Sequence, residues 1–351
     1  MLNNGIPAWQ SEIISEDDLL DEYGELKYRG FARKPYLKYS RKAIKAKKSR
    51  IKEWDYYLIQ NEDGAVCLTI DDNSYMGMLS VSIIDLKEPS EITKSKIIWN
   101  TKGTIGLGES SEKEGVVEVN NKNIHAKFEI VKGKRVLSYK WTNYHKKQDL
   151  EVEIVLKNQP KESMVIATPF NKPGHFYYNH KILGFKPEGS VKLGGKEILK
   201  FTPENSHALL DWGRGVWTYS NTWIWGAFMG KVNNHELGIN LGYGFGNTDC
   251  ATENMLFYDG KAHKLNHVYV DFNNGKKEEY VFPFKVSSND GRLEGDFLPI
   301  IDRHANTNAL VIASNQHQIF GIFNGKAVLD DGEEIEFENL YGFIEKVKNR
   351  W

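Results

Sequence analysis

Runs of alternating apolar and polar residues make up most of the chain after residue 53. In "NIHAKFEIV", residues 123–131, every second residue from Ile124 is apolar, and "LEVEIVL", residues 150–156, repeats the pattern. A period of two places one face of a strand in a core and the other in water. These segments therefore predict antiparallel strands that are each half buried.

Turn residues separate the alternating runs at short intervals. In "WDYYLIQNEDGAVCLTI", residues 54–70, two extended runs meet at Asn61–Gly64, and Asp63-Gly64 is a hairpin turn signal. Further turn signals lie at 132–134, at 324–325 and at 331–332. Many short strands with such spacing are typical of all-β barrels or sandwiches. We expect helix only near the N-terminus and over 340–348.

The number of strands favours two β units packed together, because a single barrel would be unusually large for a chain of this length. The turn-rich stretch near 190–206 is the expected boundary. We therefore expect a charged N-terminal arm over 1–53, a first β domain over 54–203 and a second over 204–351.

The charges of the arm fall into two blocks. Seven acids lie between Glu12 and Glu25, and residues 33–52 then contain ten Lys or Arg and no acid. The basic block could contact an anionic partner. We favour an arm that is solvated or folded against itself, because no aromatic stacking motif accompanies the block. The whole chain carries a net charge of −1, which gives no general attraction to nucleic acid or membranes.

Composition places the 351-residue chain among globular proteins, with 40% hydrophobic and 26% charged residues. No segment approaches the roughly 20 apolar residues that span a bilayer, and the first residues do not form a secretory leader. We therefore expect a soluble, cytoplasmic protein without an integral membrane segment. Cys67 and Cys250 are the only cysteines, so two free thiols are expected rather than a disulfide framework.

Three segments concentrate polar and aromatic residues and are the candidates for a functional site. They are "PGHFYYNHKILG" (173–184), "HALLDWGRGVWTYSNTWIWGAF" (207–228) and the glycine-rich "GINLGYGFGNTDCATENMLFYDGK" (238–261). Glycines within strands permit close backbone approach, and aromatic walls with a few convergent polar groups are the usual anatomy of a small-molecule pocket.

The acids in these segments suggest proton transfer. We expect Asp211 and Glu253 to be an acid/base pair, because two carboxylates in unlike environments can supply both a donor and an acceptor. Arg214 would hold one carboxylate in its charged form. The alternative is a structural salt bridge between Asp211 and Arg214 across Gly213.

Aromatic and amide side chains complete the expected pocket. Trp217, Trp223 and Trp225 share strand parity and would form one wall, although such a strand could simply fill a barrel. The residues expected to orient polar groups of the substrate are Tyr178, His180, Asn240 and Asn254. For His180 a structural hydrogen-bonding role is equally open.

Metal and nucleotide sites are not indicated. His263 and His267 lie four residues apart without a third ligand of clear type. The stretch "GTIGLGES", residues 103–110, lacks the Lys-Ser/Thr ending of a phosphate loop. We expect no cofactor and no metal.

The strings "FYYNHK", "LLDWGRGVWTYSNTWIWG", "GYGFGNTDCATENMLFYDGK" and "FGIFNGKAVLDDGEEIEFENLYGFIEKVKNRW" resemble the family called domain of unknown function 2804, from about residue 15 to Trp351. A looser similarity links the chain to double-lipocalin proteins such as carotenoid 1,2-hydratases and tocopherol cyclases. That resemblance implies two lipocalin-like barrels, a lipophilic substrate, and acid-assisted hydration, isomerisation or cyclisation without a cofactor.

Three functions remain open from the sequence. The first is a hydratase, isomerase or cyclase that acts on a small lipophilic molecule by acid/base chemistry. The second is a lipocalin-like protein that binds a lipophile without changing it. The third is a glycoside hydrolase type of enzyme, because paired carboxylates and tryptophan platforms also suit sugars. The oligomeric state is left open.

Overall fold

The computed structural model describes residues 2–3, 6–272, 280–309 and 312–350. Regular structure in these residues is almost entirely β-strand, as the alternation predicts. The strands before the first long hairpin are short: β1 Leu2–Asn3, β2 Ile6–Pro7, β3 Asp17–Asp18, β4 Gly30–Ala32 and β5 Leu37–Lys38.

In the described part of the chain, the first large sheet has thirteen strands in which neighbours pair antiparallel. Its main path runs β10-β11-β12-β13-β15-β17-β6-β7-β8-β9, with β14 and β16 paired to β15, and β4 paired to β14. These strands are β6 Ile51–Gln60, β7 Gly64–Asp72, β8 Met76–Asp85, β9 Ser90–Trp99, β10 Gly115–Asn120, β11 Ile124–Val131, β12 Lys134–His145, β13 Gln148–Lys157, β14 Met164–Pro169, β15 Phe176–Leu193, β16 Lys196–Phe201 and β17 His207–Val216.

Among the described residues, the second sheet has nine antiparallel strands in the order β21-β20-β19-β18-β26-β25-β24-β23-β22. They are β18 Ser220–Val232, β19 His235–Tyr243, β20 Met255–Tyr258, β21 Lys261–Lys264, β22 Val268–Asp271, β23 Phe284–Ser288, β24 Leu293–Ala309, β25 Ile312–Val328 and β26 Glu334–Arg350. The expected all-β chain of two antiparallel β units is therefore confirmed.

Buried apolar side chains form three layers. One layer fills the inside of the first sheet, another fills the inside of the second, and the third lies between the two sheets. Strand β17 serves two layers, because Leu210 packs inside the first sheet while Leu209 packs between the sheets. A strand that is covered on both faces tolerates few polar residues, and on β17 His207, Asp211 and Arg214 each have a specific partner.

The helix expected over 340–348 is wrong, because these residues lie within strand β26. Leu340, Phe343, Ile344 and Val347 have helical spacing, yet all four are buried in a strand that is covered on both faces. Leu340 and Ile344 face the core of the second sheet, and Phe343 faces the layer between the sheets. A strand with two buried faces can thus imitate the apolar spacing of a helix.

The N-terminal arm also contains no α-helix in its described part. Two 3-10 turns, Arg41–Ala43 and Lys48–Arg50, replace the expected helical segment. The arm is tied to the rest of the chain, since β4 pairs with β14 and the backbone amide of Ser11 donates to the carbonyl of Cys250 at 2.8 Å.

The chain passes from the first sheet to the second between Val216 and Ser220. Strand β17, which falls in the expected second domain of 204–351, is hydrogen bonded between β15 and β6 of the first sheet. Whether the chain divides at 203/204 into separate folding units stays a prediction. Cys67 and Cys250 are both free thiols, as expected.

Candidate active site between the two sheets

A cavity of about 110 Å³ lies between the two sheets, where the middle strands of both meet. Both aromatic and ionisable side chains line it. They are Trp54, Tyr177, Lys181, Asp211, Trp217, Trp223, Ile224, Trp225, Tyr243, Phe245, Glu253 and Glu345.

Asp211 is held by three donors on its side of the cavity. The Lys181 ammonium lies 2.9 Å from Oδ1, the Asn179 amide donates to the same oxygen at 2.5 Å, and the Trp54 indole N–H donates to Oδ2 at 3.0 Å. Asp211 and Lys181 face each other directly across the β15–β17 ladder. Charge-assisted hydrogen bonds of this kind fix a carboxylate firmly.

Lys181 joins Asp211 to a second carboxyl group. Its Nζ lies 3.6 Å from Oε2 of Glu253 and 4.2 Å from the centre of the Trp225 ring. Burial alone would lower the pKa of Lys181, but the charges of Asp211 and Glu253 outweigh burial and raise the pKa. The ammonium is therefore charged and serves both carboxyl groups.

Glu253 and Glu345 have perturbed acidities. Burial raises the pKa of Glu253, and the opposing charge of Lys181 does not cancel the effect. Burial likewise raises the pKa of Glu345 to about 7, although the hydrogen bond from Trp223 works against the shift. A carboxyl group with a pKa near 7 can both give and take a proton at physiological pH.

Glu345 is positioned by amide and indole donors. The Trp223 indole donates to its Oε1 at 2.9 Å, and the Gln318 amide donates to its Oε2 at 3.2 Å. Glu345 lies on β26 directly opposite Trp225 on β18. The second sheet thus contributes a further carboxyl group, whose pKa the charges of Asp211 and Lys181 also influence.

Tryptophan rings form much of the cavity wall. Trp217 makes edge contacts with Trp54 and Trp223, with ring centres 5.0 and 6.0 Å apart. Phe245 packs between Trp217 and Trp223, at 4.7 and 5.0 Å. The expected grouping of Trp217, Trp223 and Trp225 on one cavity is what the structure contains, with Trp54 added from the first sheet.

The "ATEN" segment, residues 251–254, places the Glu253 side chain in the cavity. Hydrogen bonds fix the segment before and after Glu253. The Thr252 backbone amide donates to Oε1 of Gln10 in the N-terminal arm at 2.8 Å. Asn254 accepts the Gly242 amide at 2.8 Å, and Asn240 donates to the Glu253 carbonyl, also at 2.8 Å.

Gly242 makes room for the Glu253 side chain. A Cβ atom at this position would lie 2.9 Å from Oε2 of Glu253, closer than a carbon and a carboxylate oxygen can approach without displacement. Residue 242 of β19 is therefore a glycine because the carboxyl group of Glu253 occupies the space that a Cβ atom would fill.

The structure does not pair Asp211 with Arg214. Residues three apart on a strand point to opposite faces, so Arg214 faces the interior of the first sheet, where its Nη2 lies 2.9 Å from Oδ1 of Asp55. The guanidinium also donates to the carbonyls of Gly108 and Trp54. Arg214 does not line the cavity between the sheets.

Tyr178 and His180 lie on the same far face of β15. The Tyr178 hydroxyl donates to the carbonyl of Leu37 at 2.8 Å. His180 is fully buried between the hydroxyls of Ser111 and Ser163, at 2.7 and 2.6 Å, and burial lowers its pKa to about 3. Neither lines the cavity between the sheets.

Asn240 and Asn254 stand behind the wall rather than in it. Asn240 accepts the indole N–H of Trp225 at 2.9 Å, and the Asn254 amide donates to the carbonyl of Asn266 at 2.8 Å. Both are fully buried. Asn240 thus fixes Trp225 and the backbone of Glu253, whereas Asn254 fixes Gly242, next to the Glu253 carboxyl group.

Several lining residues were not among the sequence candidates: Trp54, Tyr177, Lys181, Tyr243, Phe245 and Glu345. Strand parity could have indicated Tyr177 and Lys181, since both alternate with Tyr178 and His180 on β15. Local sequence offers no signal for Trp54 and Glu345, because they reach the cavity from strands remote in the chain.

The described residues contain neither the arrangement expected of a metal site nor that of a membrane-spanning helix. Within the described ranges, no group of three or more His, Cys, Asp or Glu residues is arranged to hold a metal ion. No helix in the same part of the chain is long and apolar enough to cross a membrane.

The fold and the site together define a two-sheet β protein with a buried, tryptophan-walled cavity that contains ionisable groups. The chain belongs to the family described as domain of unknown function (DUF2804), whose model matches residues 10–351. The family resemblance seen in the sequence is thereby confirmed. Comparison with curated proteins gave no match.

Solved structures with a similar overall fold include kievitone hydratase from Nectria haematococca, at 11% identity and a TM-score of 0.45, over 86% of this chain and 88% of that one. A putative AttH protein from Nitrosomonas europaea has 11% identity and a TM-score of 0.47, over 86% and 92%. CghA with Sch210972 has 9% identity and a TM-score of 0.42, over 96% and 97%. At these identities the likeness concerns the fold alone.

Proposed function

We propose that this protein is an enzyme that uses carboxyl groups for acid/base chemistry on a small, largely apolar substrate, by hydration, isomerisation or cyclisation. The observation that carries the proposal is the placement of Glu253 and Glu345, both with raised pKa values, around one tryptophan-walled cavity. Titratable groups that burial perturbs within a cleft are a mark of catalytic sites.

Glu345 is the proton donor in this proposal. Its pKa of about 7 leaves a large protonated fraction at neutral pH. Glu253 is the acceptor, because the Lys181 ammonium 3.6 Å from its Oε2 favours the ionised carboxylate against the effect of burial. In a hydration, the proton of Glu345 would join one carbon of a double bond, water oxygen would join the other, and Glu253 would take the proton from water.

Asp211 and the tryptophans stabilise positive charge in the same step. Asp211 is fixed by Lys181, Asn179 and Trp54, so it does not need to reorganise as charge develops. The Trp faces attract a developing carbocation through cation–π interaction. The carboxyl groups and the ring faces of Trp54, Trp217 and Trp223 suit a cationic transition state, while the Lys181 ammonium already occupies the face of Trp225.

The volume of the cavity limits the substrate. At about 110 Å³ it is smaller than the roughly 150 Å³ that holds one benzene molecule in an engineered protein cavity. We expect the reacting part of the substrate to be a branched segment or a small ring. A long isoprenoid or fatty chain would need to extend beyond this chamber, and an oligosaccharide would need an open cleft.

The test is an unbiased turnover experiment in ¹⁸O-labelled water. Purified protein is incubated with a metabolite extract, and mass spectrometry follows compounds that disappear and products that appear. We expect one compound to be converted, either to a product with incorporated ¹⁸O or to an isomer of equal mass. Glu345→Gln and Glu253→Gln should each reduce the rate by about 100-fold or more.

The matched control is Glu336→Gln, which removes an exposed carboxyl group from the same strand, β26. This variant should convert the compound at the wild-type rate. Equal conversion by Glu345→Gln would show that the assignment of the donor is wrong. A bound compound that wild-type protein always returns unchanged would instead indicate a binding protein without chemistry.

A further inference from the structure

A second cavity lies on the opposite face of the strands that build the candidate active site. Its volume is about 740 Å³, and residues 35–40 and 108–117 contribute much of its lining. On β17, Asp211 lines the smaller cavity and the next residue, Trp212, lines the larger one. On β6, Trp54 lines the smaller cavity and Asp55 lines the larger one. One layer of sheet therefore separates two distinct chambers.

Aromatic rings dominate the floor of the larger cavity. Trp212 makes edge contacts with Tyr39 and Tyr178, with ring centres 6.0 and 5.8 Å apart. Tyr57 makes an edge contact with Phe128 at 4.9 Å. All five rings line the cavity and are at least nine-tenths buried. Such a surface suits a flat or aliphatic organic body.

Arg135 brings a buried positive charge to this floor. Only 3% of the residue is exposed. Its guanidinium donates to the carbonyl of Ser111 at 2.6 Å, to the amide oxygen of Gln159 at 2.9 Å and to the hydroxyl of Tyr57 at 3.3 Å. All three acceptors are uncharged, although the Gln159 amide in turn donates to Glu112 at 3.0 Å, and the Arg135 Nε has no acceptor among the described residues.

The charge of Arg135 has no close counter-ion. Among the described residues, no carboxylate lies within 4.0 Å of its guanidinium, whereas Arg214 on the same side of the sheet pairs with Asp55 at 2.9 Å. Removing a charge from water costs several kcal/mol unless an opposite charge repays it. A buried, uncompensated guanidinium at the floor of a cavity therefore has the chemistry of an anion-binding group.

We propose that the larger cavity is a binding site for a small amphipathic carboxylic acid, separate from the candidate active site. The carboxylate of the ligand pairs with Arg135, and its apolar body packs along Tyr39, Phe128, Tyr178 and Trp212. The volume is within the range of about 300–1,000 Å³ that is usual for small-molecule pockets.

The mouth of the cavity restricts how many charges the ligand carries. The exposed charged residues of the lining form the mouth, and their acids outnumber their lysines by five to two: Glu16, Asp18, Glu109, Glu112, Glu114, Lys38 and Lys113. Water and salt screen their charges over roughly 8 Å, so one anionic group can pass to the floor. A second anionic group, left at the mouth, would be repelled. The site therefore favours a ligand with a single acid group at one end.

Two dyes with the same ring body test the proposal on the wild-type protein. One is 8-anilinonaphthalene-1-sulfonate, an amphipathic anion, and the other is N-phenyl-1-naphthylamine, which lacks the sulfonate. We expect fluorescence titration to show one saturable site that binds the anionic dye more tightly. Decanoate should displace that dye, and decanol should displace it poorly. A preference for the neutral dye would overturn the proposal.

Variants locate the site. Arg135→Met should lower the affinity for the anionic dye by about tenfold or more and leave the affinity for the neutral dye unchanged. Lys134→Met, at the exposed neighbouring position, should change neither affinity. Ile130→Trp, which fills part of the cavity, should lower the affinity for both dyes. Asp211→Asn should weaken neither, because Asp211 faces the other chamber.

Unchanged binding of the anionic dye to Arg135→Met would overturn the proposal, as would unchanged binding of both dyes to Ile130→Trp. Thermal melting of each variant establishes that it is folded. If Arg135→Met does not fold, Arg135→Gln takes its place and should lose the preference for the anionic dye in the same way; an unchanged preference would overturn the proposal.

Discussion

Lys181 and Asp211 face each other directly across two adjacent strands of the first sheet, with 2.9 Å between Nζ and Oδ1. Both side chains are at least nine-tenths buried. A cross-strand position holds the two charged groups without any loop, so the geometry of the pair is as rigid as the sheet itself. The candidate active site is built outward from this ion pair.

Lys181→Met should destabilise the fold strongly, because it leaves the carboxylate of Asp211 and the nearby Glu253 without their cation. We expect a loss of roughly 3–5 kcal/mol in the free energy of unfolding, measured by urea denaturation. Lys231→Met, which removes an exposed lysine from β18, is the control and should cost little.

The double variant Lys181→Met/Asp211→Asn tests the cause of that loss. Since it removes the isolated carboxylate together with its partner, it should be more stable than Lys181→Met alone. If the two substitutions were simply additive, the ion pair would not be the source of the stability.

Glu345 predicts a specific dependence of stability on pH. Its pKa is about 7 in the folded chain against an ordinary value of 4.5. Between these values the folded chain retains a proton that the unfolded chain has released, so this group makes stability fall as pH rises from about 4.5 to about 7. The total effect is roughly 3 kcal/mol.

Denaturation of wild-type and Glu345→Gln protein across this pH range measures the effect. We expect the variant to gain stability relative to wild type as pH rises, with the difference levelling off above about pH 7. The free energy of unfolding of Glu336→Gln should change with pH in parallel with that of wild type. A constant difference between Glu345→Gln and wild type would mean that Glu345 titrates normally.

Gly242→Ala should impair the candidate site with little effect on folding. The added Cβ would lie 2.9 Å from Oε2 of Glu253, so the carboxyl group must move. We expect turnover of the identified substrate to fall by about 10- to 100-fold. Gly238→Ala lies on the same strand and its nearest contact would be an ordinary 3.4 Å, so it should retain activity.

Arg214→Gln should affect stability and not the chemistry of the site. Arg214 pairs with Asp55 and donates to three backbone carbonyls, those of Trp54, Gly108 and Gly213. We expect a loss of roughly 3 kcal/mol in unfolding free energy and an unchanged pH profile of kcat. A shifted pH profile would restore Arg214 as an electrostatic partner of the catalytic carboxyl groups.

Alternation and turn residues were enough to predict much of the fold. The hairpin at Asn61–Gly64 is present, because β6 and β7 pair across it with Gln60 opposite Ala65. Period-two patterns identify strands reliably where one face is buried and the other is wet. The prediction failed over 340–348, where both faces of β26 are buried and the period of two disappears.

The sequence also indicated part of the site. Asp211, Glu253 and three tryptophans were expected together, and they line one cavity. Arg214, Tyr178 and His180 were grouped with them because they are close along the chain. Strand geometry separates them, since neighbouring residues point to opposite faces of the sheet.

By itself the sequence determined that the chain forms antiparallel strands, where most of them turn, and which segments are rich in aromatic and ionisable residues. These properties depend on short-range patterns of hydrophobicity and on turn chemistry. Only the tertiary structure decided which carboxyl groups meet. Glu345 reaches the cavity through the pairing of β26 with β18, and Lys181 binds Asp211 through the pairing of β15 with β17. Such contacts depend on strand order and register, which no local pattern specifies.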